Sequence, residues 1–111
     1  SCEVPISYAT ATLGGEVELP TLDGVVSLKV PPGTQSERTF RLRGKGVITV
    51  RDPRGGDLFA KVAIETPINL TAEQKALLEQ FDESVSAGGD KHYPRAGVWL
   101  DTVKRFFDRI S

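Results

Sequence analysis

Chemically reactive side chains are scarce in this chain. Cys2 is the only cysteine and His92 the only histidine. A lone cysteine excludes an intramolecular disulfide and any multi-cysteine zinc site. It also fits a reducing compartment. A catalytic triad would have to use His92, which lies in a polar stretch beside Tyr93-Pro94 and reads as a solvated loop side chain. No Gly-x-Ser-x-Gly elbow is present. No apolar run approaches the length of a membrane span, and the opening residues do not read as a signal peptide. The net charge of -1 provides no global field for nucleic acid or an anionic membrane. Together these absences argue against an enzyme and against a metal or cofactor held by this chain.

What is present is ordinary for a folded domain. The 111 residues are 39% hydrophobic and 26% charged, enough to bury a core without covalent staples. Cys2, Val4 and Ile6 alternate with Ser1, Glu3 and Pro5, the period of a strand, and Pro5 confines that strand to an edge or an end. Natural chains rarely start inside a strand, so a piece of a longer protein is expected. Ser7 can cap a brief helix over residues 8–13 that Gly14-Gly15 stops.

Residues 16–30 read as a β-hairpin. Asp23-Gly24 suits a two-residue turn, which sets Leu22 opposite Val25, Leu19 opposite Leu28, Val17 opposite Val30 and Glu18 opposite Lys29. One face is then apolar and the other polar. Pro20 conflicts with this register, because there it owes a ladder bond that it cannot donate. Either the turn is longer or a bulge sits at Pro20, and both outcomes suggest a sheet edge.

Pro31-Pro32-Gly33 ends the hairpin. Thr39-Phe40-Arg41-Leu42-Arg43 alternates again, with Phe40 and Leu42 inward. Gly44-Lys45-Gly46 breaks that strand, residues 47–50 suggest a further short one, and residues 51–56 read as a polar loop. Leu58, Ala60, Val62 and Ile64 form the longest stripe. Phe59 and Ala63 make its other face partly apolar, so a central strand covered on both faces is expected.

After Thr66-Pro67 the period changes to that of a helix. Thr71 and Gln74 form a capping box, Leu77, Leu78, Phe81 and Val85 share one face, and Gly88-Gly89 ends the helix. Residues 90–97 read as a loop. Trp99, Val103, Phe106, Phe107 and Ile110 mark a last helix over 98–110, marginal alone in water, that must dock on its own sandwich or on another chain. The predicted fold is mostly β: a small two-sheet sandwich over residues 1–70 with a short N-terminal helix, then a helical extension over 71–111 with two helices.

The charged motifs have structural readings. Arg43-Gly44-Lys45-Gly46 lacks the Gly-Lys-Ser/Thr of a phosphate loop and reads as a turn. Arg38, Arg41, Arg43, Lys45, Arg51 and Arg54 cluster in sequence, and a solvated face accounts for them better than a nucleic-acid patch. Asp23 and Asp57 fall at turn positions, where local hydrogen bonding explains them.

Three stretches carry a family resemblance: Cys2-Glu3-Val4-Pro5-Ile6-Ser7, then Leu13-Gly14-Gly15-Glu16-Val17-Glu18-Leu19-Pro20-Thr21-Leu22-Asp23-Gly24, then Leu42-Arg43-Gly44-Lys45-Gly46-Val47. Gly56-Asp57-Leu58, Glu65-Thr66-Pro67 and the Gln74-Lys75 helix continue it. In this order and spacing the chain resembles the second C-terminal domain of the DnaJ family of co-chaperones. The resemblance implies a cytoplasmic module that binds unfolded polypeptide, serves a DnaK-type chaperone through its parent protein, and homodimerises through its C-terminus. It implies no nucleic-acid or membrane partner. The family's His-Pro-Asp signature and Cys-x-x-Cys repeats are absent, so zinc is expected only in a cysteine-rich region outside this stretch.

By analogy with the family, the receiving edge is residues 16–19, with Ile6, Leu13, Val17 and Leu19 lining a shallow groove; the competing reading is that these side chains are core. An added peptide strand there would be held by backbone bonds, which tolerate many sequences. Dimerisation is assigned to Trp99, Val103, Phe106, Phe107 and Ile110. The alternative is a purely structural dimerisation domain with no client site. A nucleic-acid or phosphate binder using Arg41, Arg43 and Lys45 is a third reading.

Overall fold

In the computed structural model, which describes residues 2–21, 24–42 and 57–110, the apolar alternation of the first half becomes strands. The longer apolar period of the second half becomes helices. Two units result, Ser1–Ile68 and Asn69–Ser111.

The first unit contains β1 (Cys2–Ser7), α1 (Tyr8–Leu13), β2 (Gly15–Thr21), β3 (Gly24–Val30), β4 (Thr39–Leu42) and β5 (Leu58–Glu65). One sheet has the order β1-β5-β4 and the other pairs β2 with β3. β1 runs parallel to β5, with Val4 beside Val62, and β4 runs antiparallel to it, with Phe40 beside Ala60. Both sheets feed one core that includes Val4, Ile6, Leu19, Leu28, Val30, Ala60 and Val62. The two-sheet sandwich with a short N-terminal helix and two C-terminal helices is therefore the observed architecture.

Local chemistry explains the joints. The Ser7 hydroxyl accepts the Thr10 N–H at 3.0 Å and starts α1. Gly14 ends it at φ 83°, and a Cβ there would come within 3.0 Å of the Pro32 ring. Two α1 carbonyls, of Ala11 and Thr12, accept the N–H groups of Thr34 and Gly33. Thr34 is buried, and its hydroxyl donates to the Pro31 carbonyl at 2.6 Å. The prolines after β3 thus do more than stop a strand: they fold the chain back over α1.

The hairpin register differs from the sequence expectation by two residues. Thr21 faces Gly24, Leu19 faces Val26, Val17 faces Leu28 and Glu16 faces Lys29. Pro20 supplies the reason. Alternate pairs of an antiparallel ladder carry the hydrogen bonds. In the observed register Pro20 faces Val25 at a position that owes none, so neither a bulge nor a longer turn is required. A two-residue slip keeps every side chain on its face, so Val17, Leu19, Leu28 and Val30 still turn to the core, whereas Val25, expected among the apolar pairs, lies on the other face and is 66% exposed. Leu22 and Asp23 lie outside the described residues, as do the Gly44-Lys45-Gly46 break, the strand expected over 47–50 and the loop over 51–56.

β5 is central, but the described residues cover only one of its faces. Ala60 and Val62 are fully buried, whereas Phe59 on the opposite face is 42% exposed and Ala63 half-buried. The apolar side chains of the outer face are too few to hold a second layer. The Asp57 carboxylate pairs with the Arg41 guanidinium of β4, sixteen residues away.

The second unit contains α2 (Ala72–Ala87) and α3 (Pro94–Ile110). The capping box is formed: Thr71 accepts from the Gln74 N–H, and Gln74 accepts from the Thr71 N–H at 2.9 Å. The expected loop over 90–97 is shorter than predicted. One turn of 3₁₀ helix, Gly89–Lys91, leads into α3, which starts at Pro94 rather than at residue 98. Proline suits a first helical position because its missing N–H is not needed there. Gly97 lies in the first turn of α3, where a Cβ would reach 2.9 Å from Asp90 Cγ, so glycine lets the helix begin against the 3₁₀ turn. No helix among the described residues is long and apolar enough to cross a membrane.

Replacing Val62 by Ala should lower the unfolding free energy by about 2 kcal/mol, two buried carbons plus a small cavity. Val25→Ala, at a 66% exposed position, should stay within about 0.5 kcal/mol. Urea unfolding curves of the two variants compare them directly.

Candidate functional site

β2 borders β3 on one side and pairs with no strand on the other among the described residues. The position of Pro20 decides what that outer border offers. Because Pro20 sits at a non-bonded pair, the bonded residues of β2 are Gly15, Val17, Leu19 and Thr21. The backbone N–H and C=O groups of Glu16 and Glu18 therefore point away from β3. Pro20 contributes only a carbonyl there. The result is a short edge that can accept an extended segment over about two residues of β2. The carboxylates of Glu16 and Glu18 are solvent-exposed beside it, a charge pattern that discourages edge-to-edge aggregation.

The four residues assigned to a groove do not share one environment. Ile6 and Leu19 are 4% and 5% exposed and belong to the core. Val17 is half-buried and packs against that core. Leu13, the last residue of α1, is 76% exposed and stands outside the cluster. The structure thus joins Ile6, Val17 and Leu19, but as the floor under the edge, and leaves Leu13 apart. Sequence reasoning missed an open cleft of about 450 Å³ at the base of the hairpin, lined by Gly15, Glu16, Lys29, Val30, Pro31 and Pro32. Its sequence signal was the Pro31-Pro32 pair, whose rigid rings stand beside the Glu16 and Lys29 pair.

The second candidate surface is α3. Its only buried residue is Gly97. Trp99 is 64% exposed, Phe106 60%, Phe107 58% and Ile110 64%, and Val103 is half-buried among them. Phe106 and Phe107 meet edge to face at 5.8 Å. The five residues assigned to dimerisation therefore form one face whose large side chains are mostly in water. Covering each is worth roughly 1.5–3 kcal/mol.

The basic cluster is less available than its sequence suggested. Arg41 is held by Asp57, and the Arg38 guanidinium lies 4.8 Å from the centre of the Phe40 ring. Arg43, Lys45, Arg51 and Arg54 lie outside the described residues. Among the described residues no cluster of histidine, cysteine or carboxylate side chains is placed to hold a metal ion.

The sequence that builds these two sheets matches a known family. The description DnaJ C terminal domain fits residues 1–67. The chain belongs to the DnaJ C-terminal domain family. Chaperone protein DnaJ 2 of Aromatoleum aromaticum is 55% identical over 106 residues, covering 96% of this chain and 28% of that protein. The chain thus spans little more than a quarter of that relative's length. The name chaperone is that of the relative, with which this chain shares the DnaJ C-terminal domain.

Introducing a charge separates floor from rim. Leu19→Asp should abolish cooperative thermal unfolding, since it buries an unpaired carboxylate. Leu13→Asp should leave the midpoint within about 2 °C, as expected of an exposed site.

Proposed function

We propose that this chain is a co-chaperone module that binds unfolded polypeptide along the outer edge of β2 and homodimerises its parent protein through α3. The observation that carries the client-binding part is the edge itself. Glu16 and Glu18 present backbone donors and acceptors outward over an apolar floor of Val17, Ile6 and Leu19. Strand addition reads backbone rather than side chains, which suits a chaperone-associated domain that meets many sequences. The exposed aromatic face of α3 supports dimerisation. Delivery of clients to a DnaK-type chaperone in the cytoplasm would depend on other parts of the parent protein.

One observation favours the second reading, a dimerisation domain without a client site. Two of the four groove residues, Ile6 and Leu19, are fully committed to the core.

Glu18→Pro distinguishes the two readings. It deletes an outward N–H that the β2–β3 ladder does not use, so the fold should persist. Binding of a labelled unfolded polypeptide should weaken about fivefold, the worth of one hydrogen bond near 1 kcal/mol. Unchanged titration curves would remove the edge from the proposal, and no binding by the parent sequence would leave the structural reading. For the dimer, light scattering at micromolar protein should give twice the 12.0 kDa chain mass, and deletion of residues 98–111 should return the monomer.

A further inference from the structure

We propose that the outer border of β3 is a second acceptor of extended polypeptide, separate from the β2 edge, and that it takes uncharged segments with apolar residues at alternate positions.

The register that opens β2 also opens β3. Lys29, Ser27 and Val25 face Glu16, Glu18 and Pro20. All three pairs are non-bonded, so the N–H and C=O groups of Val25, Ser27 and Lys29 point away from β2. Among the described residues β3 pairs with no strand on that side, and none of these backbone groups has a hydrogen bond there. β3 contains no proline. Its border therefore offers three donors and three acceptors over about 14 Å, one donor more than β2.

The side chains at this border differ from those beside β2. Lys29 faces Glu16, and the two charges offset each other, whereas Glu18 faces Ser27 and has no cation across the ladder. The β2 border is left anionic and the β3 border neutral. On the exposed face of β3, Val25 is 66% exposed. On the other face lie half-buried Val26 and the core residue Leu28. A strand laid on β3 meets apolar side chains on both faces, one set of its alternate residues covering Val25 and the other the rim at Val26.

Size chooses the occupant. A specific contact between two folded partners buries about 1,200 Å² or more, far beyond three residues of one strand border. A single extended segment of an unfolded chain needs no more than such a border, because its bonds are to backbone. The features that guard an edge, proline and like charge, sit on β2 and not on β3, which leaves β3 the more open of the two.

Amide hydrogen exchange followed by NMR on the full chain tests this, with a capped seven-residue peptide of alternating valine and threonine as the probe. In the free chain the amides of Val25, Ser27 and Lys29 should exchange as open-chain amides do, while those of Val26 and Leu28, bonded to β2, are protected. Excess peptide should slow the three outer amides at least fivefold. The slowing should persist in Glu18→Pro. Ser27→Pro deletes an N–H that the ladder does not use, and should remove the slowing from Val25 and Lys29 with Leu28 still protected. A peptide of alternating serine and threonine should slow the outer amides less than half as much, and equal slowing would overturn the preference for apolar segments. A probe that slows the Glu16 and Glu18 amides alone would overturn the β3 acceptor and leave the β2 reading standing, and no slowing at either border would overturn both. Outer amides already protected without peptide would also overturn it, since the chain or a second copy then covers the border.

Discussion

The sandwich depends on β5. Its Ala60 and Val62 have no exposed surface, and the strand bonds β1 on one side and β4 on the other. The Val62 backbone also exchanges bonds with the segment ahead of β4: it accepts from Glu37 at 2.8 Å and donates to Arg38 at 2.9 Å. A parallel pair such as β1 with β5 cannot be closed by a tight turn. Every element between them is therefore part of a long crossover, and α1 and the hairpin are held because their apolar faces share the core that β5 anchors.

Pro20 shows how one residue shapes both a hairpin and the border it leaves. By refusing a ladder bond it sets the hairpin register, and that register decides which backbone groups of β2 face outward. The same residue truncates the edge, since it offers no donor. An edge that is short, bordered by Glu16 and Glu18 and closed by proline is open to a flexible segment yet poorly suited to stacking with its own kind. The apolar side chains beneath it belong to the core, so selectivity at this border would come from geometry and backbone, with little from deep side-chain pockets.

The helical unit works on a different principle. Capping and a proline start define where α2 and α3 begin, but neither feature gives their apolar faces cover. α3 carries an aromatic stripe, and α2 a stripe of Leu77, Leu78, Phe81 and Val85 of which only Val85 is buried.

Much of this was legible from residue order. The Ser7 cap, the Gly14 stop, the Thr71 and Gln74 box and the apolar periods of β5 and α3 depend on neighbours a few positions away, and each appears where the sequence places it. The family resemblance was legible for the same reason, being carried by short runs in fixed order. The hairpin slipped by two because two turn placements satisfy its apolar pattern, and a local reading weighed Asp23-Gly24 above Pro20. The α3 start was missed because Gly97 looks like a loop residue until Asp90 is seen beside it.

Sequence alone determined which residues alternate and which helices are capped. Only the tertiary structure decided that Leu19 is floor while Leu13 stands in water, that Arg41 is engaged by Asp57, and that β1 returns to lie beside a strand more than fifty residues later. Burial and long-range pairing depend on which surfaces meet after the chain has folded back, and no window of adjacent residues contains that information.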